Sequence, residues 1–286
     1  MRRTLFLPAF LFLVGCATSA PDLPRDIDRI LAANRGKTIA VAYYDLRNGT
    51  SLYRNEREVF HAASTMKVPV MLGIFEAVSR GELRLDQSVR VRNEFVSIVD
   101  GSKFVLDPKD DSDLELYHSI GRELPLEALV RRMIVRSSNL ATNLVIELIG
   151  AKRVMALMKQ LGANDIQVLR GVEDGKAFQA GMNNTTTAYD LALIFRAIAA
   201  SPSSKAIEIL AAQEFNRGIP AGVPKGTGVA HKTGSITGIA HDGGIVDSSY
   251  VLVVLTRGFK KERRAEKVIA SISRAVWRAR KARNRP

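Results

Sequence analysis

Ser64 and Lys67 stand three positions apart in Ser64-Thr65-Met66-Lys67, the only S-x-x-K in the 286 residues. A serine hydroxyl is a weak nucleophile at neutral pH and needs a partner for its proton. Residues three apart in the first turn of a helix share a face, so the Lys67 amine can reach the Ser64 hydroxyl. The N-terminus of that helix also favours negative charge developing beside it. A second cluster, Ser137-Ser138-Asn139, falls between two apolar helical stretches. There a tight turn aims a hydroxyl and an amide into a cleft, or else Ser and Asn cap a helix. A third, Lys232-Thr233-Gly234-Ser235, reads as strand. Its glycine allows close backbone approach, its edge can pair with an amide-bearing ligand, and Lys232 can meet a carboxylate; an ordinary turn is the alternative. Taken singly each persuades little, but in this order and in these settings the three are specific.

These residues need elements to hold them. A helix is expected over 26–34, stopped by Gly36. Strands follow over 38–46 and 50–54, joined at Asn48-Gly49, a hairpin signal. Helical periodicity covers 66–79, 125–135, 141–149, 152–161 and 187–200, and strands return over 228–233, 240–246 and 250–256. The polar stretch 90–121 carries Asp107, Asp110, Asp111 and Asp113 but lacks the Gly and closing Glu of an EF-hand, so it reads as a solvated loop. Strands at both ends of a helical middle predict an α/β fold. Its antiparallel sheet is built from both chain ends and flanked by helices, with 26–63 and 214–286 forming the α/β domain and 64–213 an inserted all-α domain.

The formal net charge of +13 suggests nucleic acid until it is located along the chain. Residues 257–286 hold twelve Lys or Arg and two Glu, which leaves the body of the chain close to neutral. Val268, Ile269, Ile272, Ala275 and Val276 recur there at helical spacing, giving a helix with one buried stripe and a basic outer face. A solvated face is the plain interpretation and anionic lipid headgroups the sharper one. With only Phe259 and Trp277 as aromatic residues among these charges, nucleic acid is a distant third and is not expected as a partner. Residues 1–15 carry Arg2 and Arg3 and then an apolar run, as a signal peptide does; the run is too short to span a bilayer comfortably. Leu13-Val14-Gly15-Cys16 is similar to a bacterial lipobox, which makes the single cysteine, Cys16, a lipidation site on a tether over 16–25. An ordinary signal peptide is the alternative. Either way a periplasmic or cell-envelope location is expected, with a monomer as the default.

The chain resembles the class A serine β-lactamases and their penicillin-binding relatives, a family for which these motifs are a standing example. The likeness extends through Met133-Ile134 into Ser137-Ser138-Asn139, on to Asn143-Leu144, Asn184-Thr185-Thr186-Thr187, Ile219-Pro220-Ala221-Gly222 and Val229 to Ser235, and covers roughly residues 39–254. It implies the β-lactamase-like fold and a β-lactam or peptidoglycan-like substrate. It makes Ser64 the nucleophile, Lys67 its activator and Ser137 the proton relay. Asn139 would hold the substrate's side-chain amide, Lys232 with Thr233 or Ser235 its carboxylate, and Gly234 gives the close approach. The N–H groups of Ser64 and Ser235 would form the oxyanion hole. No metal or other cofactor is implied, and His61, His118, His231 and His241 lack zinc-site spacing. His231 is expected to pack beside the site as structure.

Two positions depart from the family pattern. Ser138 stands where Asp is usual, which removes a carboxylate that braces the turn. The Glu-x-x-Leu-Asn pattern that supplies the deacylating base is absent, and Asn184 replaces the Asp that normally pins the preceding loop to an arginine. Glu173 is the candidate base and Asp174 the fallback, with Arg170 expected to pair with one of them in a looser loop. Three functions fit. A β-lactam hydrolase requires Glu173 to point at Ser64. An acylating enzyme of the D-alanyl-D-alanine peptidase type does not need Glu173. A lipid-anchored cell-wall binding protein that lost turnover is the third, and the intact Ser64, Lys67, Ser137, Asn139 and Lys232 count against it.

Overall fold

Alternating side chains set the central sheet of the computed structural model, which describes residues 22–201 and 203–283. The expected signal segment and Cys16 lie outside the described residues. The strands are β1 (Thr38–Asp45), β2 (Ser51–Arg54), β3 (Val229–Ile236), β4 (Ile239–Val246) and β5 (Tyr250–Arg257). They lie in the order β2-β1-β5-β4-β3, every neighbour antiparallel. β1 pairs with β5 along its whole length, from Thr38↔Arg257 to Asp45↔Tyr250, so the two ends of the chain do fold into one sheet. Ala40, Ala42, Val251, Val253 and Leu255 face one core; Ile39, Val41, Tyr43, Leu252 and Val254 face the other. With period two and both faces covered, these strands read as nearly continuous apolar runs.

On the outer face lie α1 (Leu23–Ala32) and α8 (Glu262–Arg283). Ile269, Ile272 and Val276 of α8 join Leu23 and Ile27 in the outer core, while Lys267, Arg274, Arg278 and Lys281 are exposed. The expected tether over 16–25 loses its last residues to α1. Asp22 caps that helix, accepting from Arg25 N at 3.3 Å, and Pro24 suits a first turn, where its missing N–H costs nothing.

The inner face carries α2 (Lys67–Ser79), α3 (Leu126–Val135), α4 (Asn139–Ile149), α5 (Ala151–Gln160), α6 (Ala188–Ala200) and α7 (Lys205–Ala211). The expectation that 64–213 is all-α needs correction: Ser88–Arg90 pairs with Glu123–Pro125, Phe95–Val96 with Lys103–Phe104, and Thr185–Thr186 with Phe60–His61. Strands of two or three residues carry no readable period. Nor is 90–121 a solvated loop. Leu106 and Leu116 enter the core, and Asp113, 1% exposed, takes Arg132 at 2.7 Å and Arg136 at 3.0 Å. The N-termini of α2 and α4 and the free edge of β3 meet where the helical layer adjoins the sheet.

Candidate active site

Ser64 lies in a 3₁₀ turn, Ala63–Met66, that runs directly into α2, whose first residue is Lys67. Side chains three apart eclipse in such a turn, which puts the hydroxyl and the amine on one side. The Lys67 Nζ, fully buried, donates to Ser137 O at 2.5 Å, Ser137 Oγ at 3.2 Å and Asn139 Oδ1 at 2.9 Å. Among the described residues it makes no hydrogen bond to Ser64; the expected contact is replaced by bonds to the second motif, as is common before substrate tightens a site. Burial pulls the amine down from 10.5 to about 7, against the opposing pull of the Asp111 and Glu173 carboxylates. A lysine of this kind is substantially neutral near pH 7 and can accept a proton.

Lys232, from the edge strand β3, donates to Ser137 Oγ at 3.0 Å and Thr233 O at 2.8 Å. Ser137 Oγ therefore lies between two amines, the position a relay needs. Burial holds Lys232 well below its ordinary value, with Lys67 acting in the same direction and Asp242 against it. Gly234 makes the approach possible, because a Cβ there would lie 2.9 Å from Thr65 N and 3.0 Å from Ser64 N. That proximity brings the backbone of β3 against the start of the serine turn, where the Ser64 and Ser235 N–H groups can flank one oxygen. Ser64, Ser137, Asn139, Thr233, Gly234 and Ser235 line a single cleft of about 490 Å³, together with Asp110, Asn216, Arg217, Glu262 and Glu266. The sequence offers no signal for Arg217 or Asn216, which enter from the chain before β3.

Ser138, at the motif position where Asp is usual, caps α4 by accepting from Ala141 N at 3.2 Å. The bracing carboxylate comes from elsewhere. Asp111 Oδ2 accepts from Asn139 N at 3.0 Å, Leu140 N at 2.8 Å and the Tyr117 hydroxyl at 3.1 Å. Asp111 was unremarkable in a run of acidic residues; only its burial and partners single it out.

Glu173 is brought to the site, though not to Ser64 among its hydrogen bonds: its carboxylate accepts from Asn139 Nδ2. It keeps solvent exposure, yet surrounding protein raises its pKa; the Asn139 bond opposes this, Asp111 and Asp110 add to it, and Lys67 opposes it. Asp174 is no fallback. It is 2% exposed and caps the short helix Gly175–Gln179 while accepting from Ser97 Oγ and Ile98 N, both at 3.0 Å. The expected ion pair of Arg170 is also absent among the described residues. Its guanidinium donates to Met182 O, Gly171 O and Asn183 Oδ1 at 3.0–3.2 Å. Asn184 closes the loop instead, accepting from Leu169 N at 2.8 Å and donating to Arg170 O at 2.9 Å. An amide can do both, which a carboxylate cannot. Asn143 adds a second tie, donating to Val172 O at 3.0 Å and accepting from Val172 N at 2.6 Å, so the loop is held at several points.

Among the described residues, Ala63, Ser137 and Glu173 are three of six non-glycine residues with positive φ, at 46°, 58° and 61°. Such conformations cost about 1–3 kcal/mol each and persist where surrounding contacts enforce them. Here they adjoin the candidate nucleophile Ser64 or supply Ser137 and the loop carboxylate Glu173. His231 is buried, with Nδ1 2.8 Å from Asp242 Oδ1 and Nε2 3.1 Å from Asn216 Oδ1, tying β3 to β4 behind Lys232. His241 bonds His61 O and Thr256 N, and burial lowers it to about 4.

Comparison with known proteins agrees with this arrangement. The profile of the Beta-lactamase enzyme family matches residues 22–279. Beta-lactamase VEB-1 of Pseudomonas aeruginosa is 24% identical over 297 residues, covering 96% of this chain and 95% of its own. Among solved structures, a beta-lactamase from Sphaerobacter thermophilus aligns with a TM-score of 0.76 at 29% identity, over 92% of this chain and 98% of its own. A PBP-A variant in an acyl-enzyme complex with penicillin G aligns with a TM-score of 0.75 at 26% identity, over 91% and 96%. With a family profile spanning nearly all of the described residues and both sheet and helical layers shared with these structures, the chain belongs to the beta-lactamase enzyme family.

Proposed function

We propose that the chain is a serine β-lactamase of the class A type, opening the β-lactam amide through an acyl-enzyme on Ser64 and then hydrolysing it. Family and fold support β-lactam hydrolysis in general. The observation that carries the finer reading is the buried Lys67 amine, lowered to about 7, one turn from Ser64 and bonded to Ser137. Neutral Lys67 takes the Ser64 proton as Oγ attacks the lactam carbonyl carbon. The Ser64 and Ser235 N–H groups hold the oxyanion, a contribution of about 2.7–4 kcal/mol per donor in such sites. The C–N bond then breaks, and the proton on Lys67 passes through Ser137 Oγ to the lactam nitrogen. Lys232, with Thr233 and Ser235, binds the substrate carboxylate, and Asn139 its side-chain amide. In the second half-reaction a water gives its proton to Glu173 and attacks the acyl carbon, and as the C–O bond to Ser64 breaks the proton held by Glu173 returns to the departing Ser64 oxygen.

One observation favours a second reading, an acylating enzyme of the D-alanyl-D-alanine peptidase type. Glu173 is engaged by Asn139, and PBP-A, whose variant forms an acyl-enzyme with penicillin G, shares the fold. The soluble chain from Ala17 onward, mixed with a chromogenic cephalosporin, separates the two. Continued product release supports hydrolysis, whereas a burst of one equivalent with a stable Ser64 adduct in the intact mass supports the second reading. Loss of reaction in Ser64→Ala is required by both. We also propose export and lipid anchoring at Cys16, supported by the lipobox-like pattern. Release of a Cys16→Ala variant from the membrane fraction, with the unaltered chain retained, is the expected outcome.

A further inference from the structure

The 107–113 segment contributes a carboxylate that the acyl-transfer scheme above does not use. Asp111 is 7% exposed and accepts four hydrogen bonds. One oxygen takes Asp113 N at 3.0 Å; the other takes the Tyr117 hydroxyl and the N–H groups of Asn139 and Leu140. Those two N–H groups belong to the first turn of α4, where helical N–H groups lack partners within the helix and the dipole favours an anion. Asn139 in turn accepts from Lys67 through its side-chain oxygen, at 2.9 Å. A contiguous path therefore runs from Asp111 through the Asn139 backbone to the amine beside Ser64.

We propose that Asp111 is a positioning residue for the acyl-transfer site: it holds the Ser137–Asn139 turn against Lys67 and supplies the negative charge that this turn lacks at Ser138. The inference rests on Ser64 acylation as proposed above. Its electrostatic part follows from the surroundings of Lys67, which faces the carboxylates of Asp111 and Glu173 and the amine of Lys232. The Asp111 carboxylate favours the protonated amine, and it disfavours ionisation of Glu173. Its charge thus acts on both acid–base groups, while its hydrogen bonds act on the turn.

The test replaces Asp111 by its neutral isostere, Asp111→Asn, and pairs it with Asp111→Asn/Ser138→Asp, which returns a carboxylate to the start of α4. Two readouts are taken. The Lys67 titration midpoint, followed by the Cε chemical shift, needs no substrate. The rate of Ser64 acylation by a penicillin is followed by intact mass across pH. In Asp111→Asn the midpoint is expected to fall below about 7 and the ascending limb of acylation to move with it. Acylation at its plateau is expected to drop at least about tenfold as the turn loosens, the order expected when a charge-assisted contact is lost. The paired variant is expected to recover both. An unmoved midpoint and limb, or a lost rate that Ser138→Asp does not recover, overturns the proposal, since a cap that only stabilises the fold would behave that way. If Asp111→Asn does not fold, Tyr117→Phe removes one donor and leaves the carboxylate with one fewer partner; it should move the midpoint up, and no movement counts against the proposal. Absence of acylation in the unaltered chain would instead refute the function proposed above, with the Lys67 midpoint still deciding the role of Asp111.

Discussion

Replacing Lys67 by Met should make the pH dependence of stability report the protonation state of the buried Lys67 amine. Lys67 is completely buried and titrates at about 7 in the folded protein, against 10.5 ordinarily. Between those values the unfolded chain binds a proton that the folded protein does not, so stability rises with pH across this window. At pH 7 the folded amine is half protonated while the unfolded one is fully so, a penalty of about 4 kcal/mol; at pH 10 the penalty has fallen to about 1 kcal/mol. Methionine has a similar shape and no titration. The stability of the wild-type chain relative to Lys67→Met should therefore increase by about 3 kcal/mol from pH 7 to pH 10. Urea unfolding of both proteins at the two pH values measures this; groups remote from Lys67 cancel in the double difference, and Lys232 and Glu173, which feel its charge, enter it only as the smaller coupled contribution. The acylation rate of the wild type should rise through the same midpoint near 7. A double difference below about 1 kcal/mol would mean that the folded amine keeps its proton, and the assignment of Lys67 as the base would fail.

Three further outcomes follow from individual contacts. Glu173→Gln should leave Ser64 acylation within about threefold and slow release by about 10²-fold or more, as loss of a general base does; normal turnover would remove Glu173 from the mechanism. Gly234→Ala places a Cβ 2.9 Å from Thr65 N, a backbone atom that cannot swing aside, and should lower acylation about 10²-fold by parting β3 from the serine turn; an unaffected rate would show that the two N–H groups do not share the oxyanion. Asn184→Asp should destabilise by about 1–3 kcal/mol, because the new carboxylate faces Arg170 O, where the amide now donates at 2.9 Å. Unfolding midpoints read this directly, and an equal or higher midpoint would contradict the role given to the amide.

The fold class and the spacing of the candidate site motifs were legible in the amino-acid order because each rests on local patterning. Ser64 and Lys67 are three apart, the strands alternate or run apolar, and the helices repeat near every 3.6 residues. That strands from both ends of the chain share one sheet was legible for a related reason, since both sets must find partners; which strand pairs with which was decided only in the fold. What sequence could not supply was any relation carried by long-range contact between residues of ordinary local appearance. Asp111 sits in an acidic run that looks solvated, yet it reaches across 28 positions to Asn139. Asp174 neighbours Glu173 and has the same charge, but its burial against Ser97 and Ile98 makes it a cap. Asn184 reads as the loss of an ion pair, and the folded loop turns it into a two-way backbone clasp. Burial likewise exists only in three dimensions, so the lowered proton affinity of Lys67, on which the proposed acylation depends, was decided by the tertiary structure: desolvation by the surrounding protein, and not the residue type, brings this amine down to about 7.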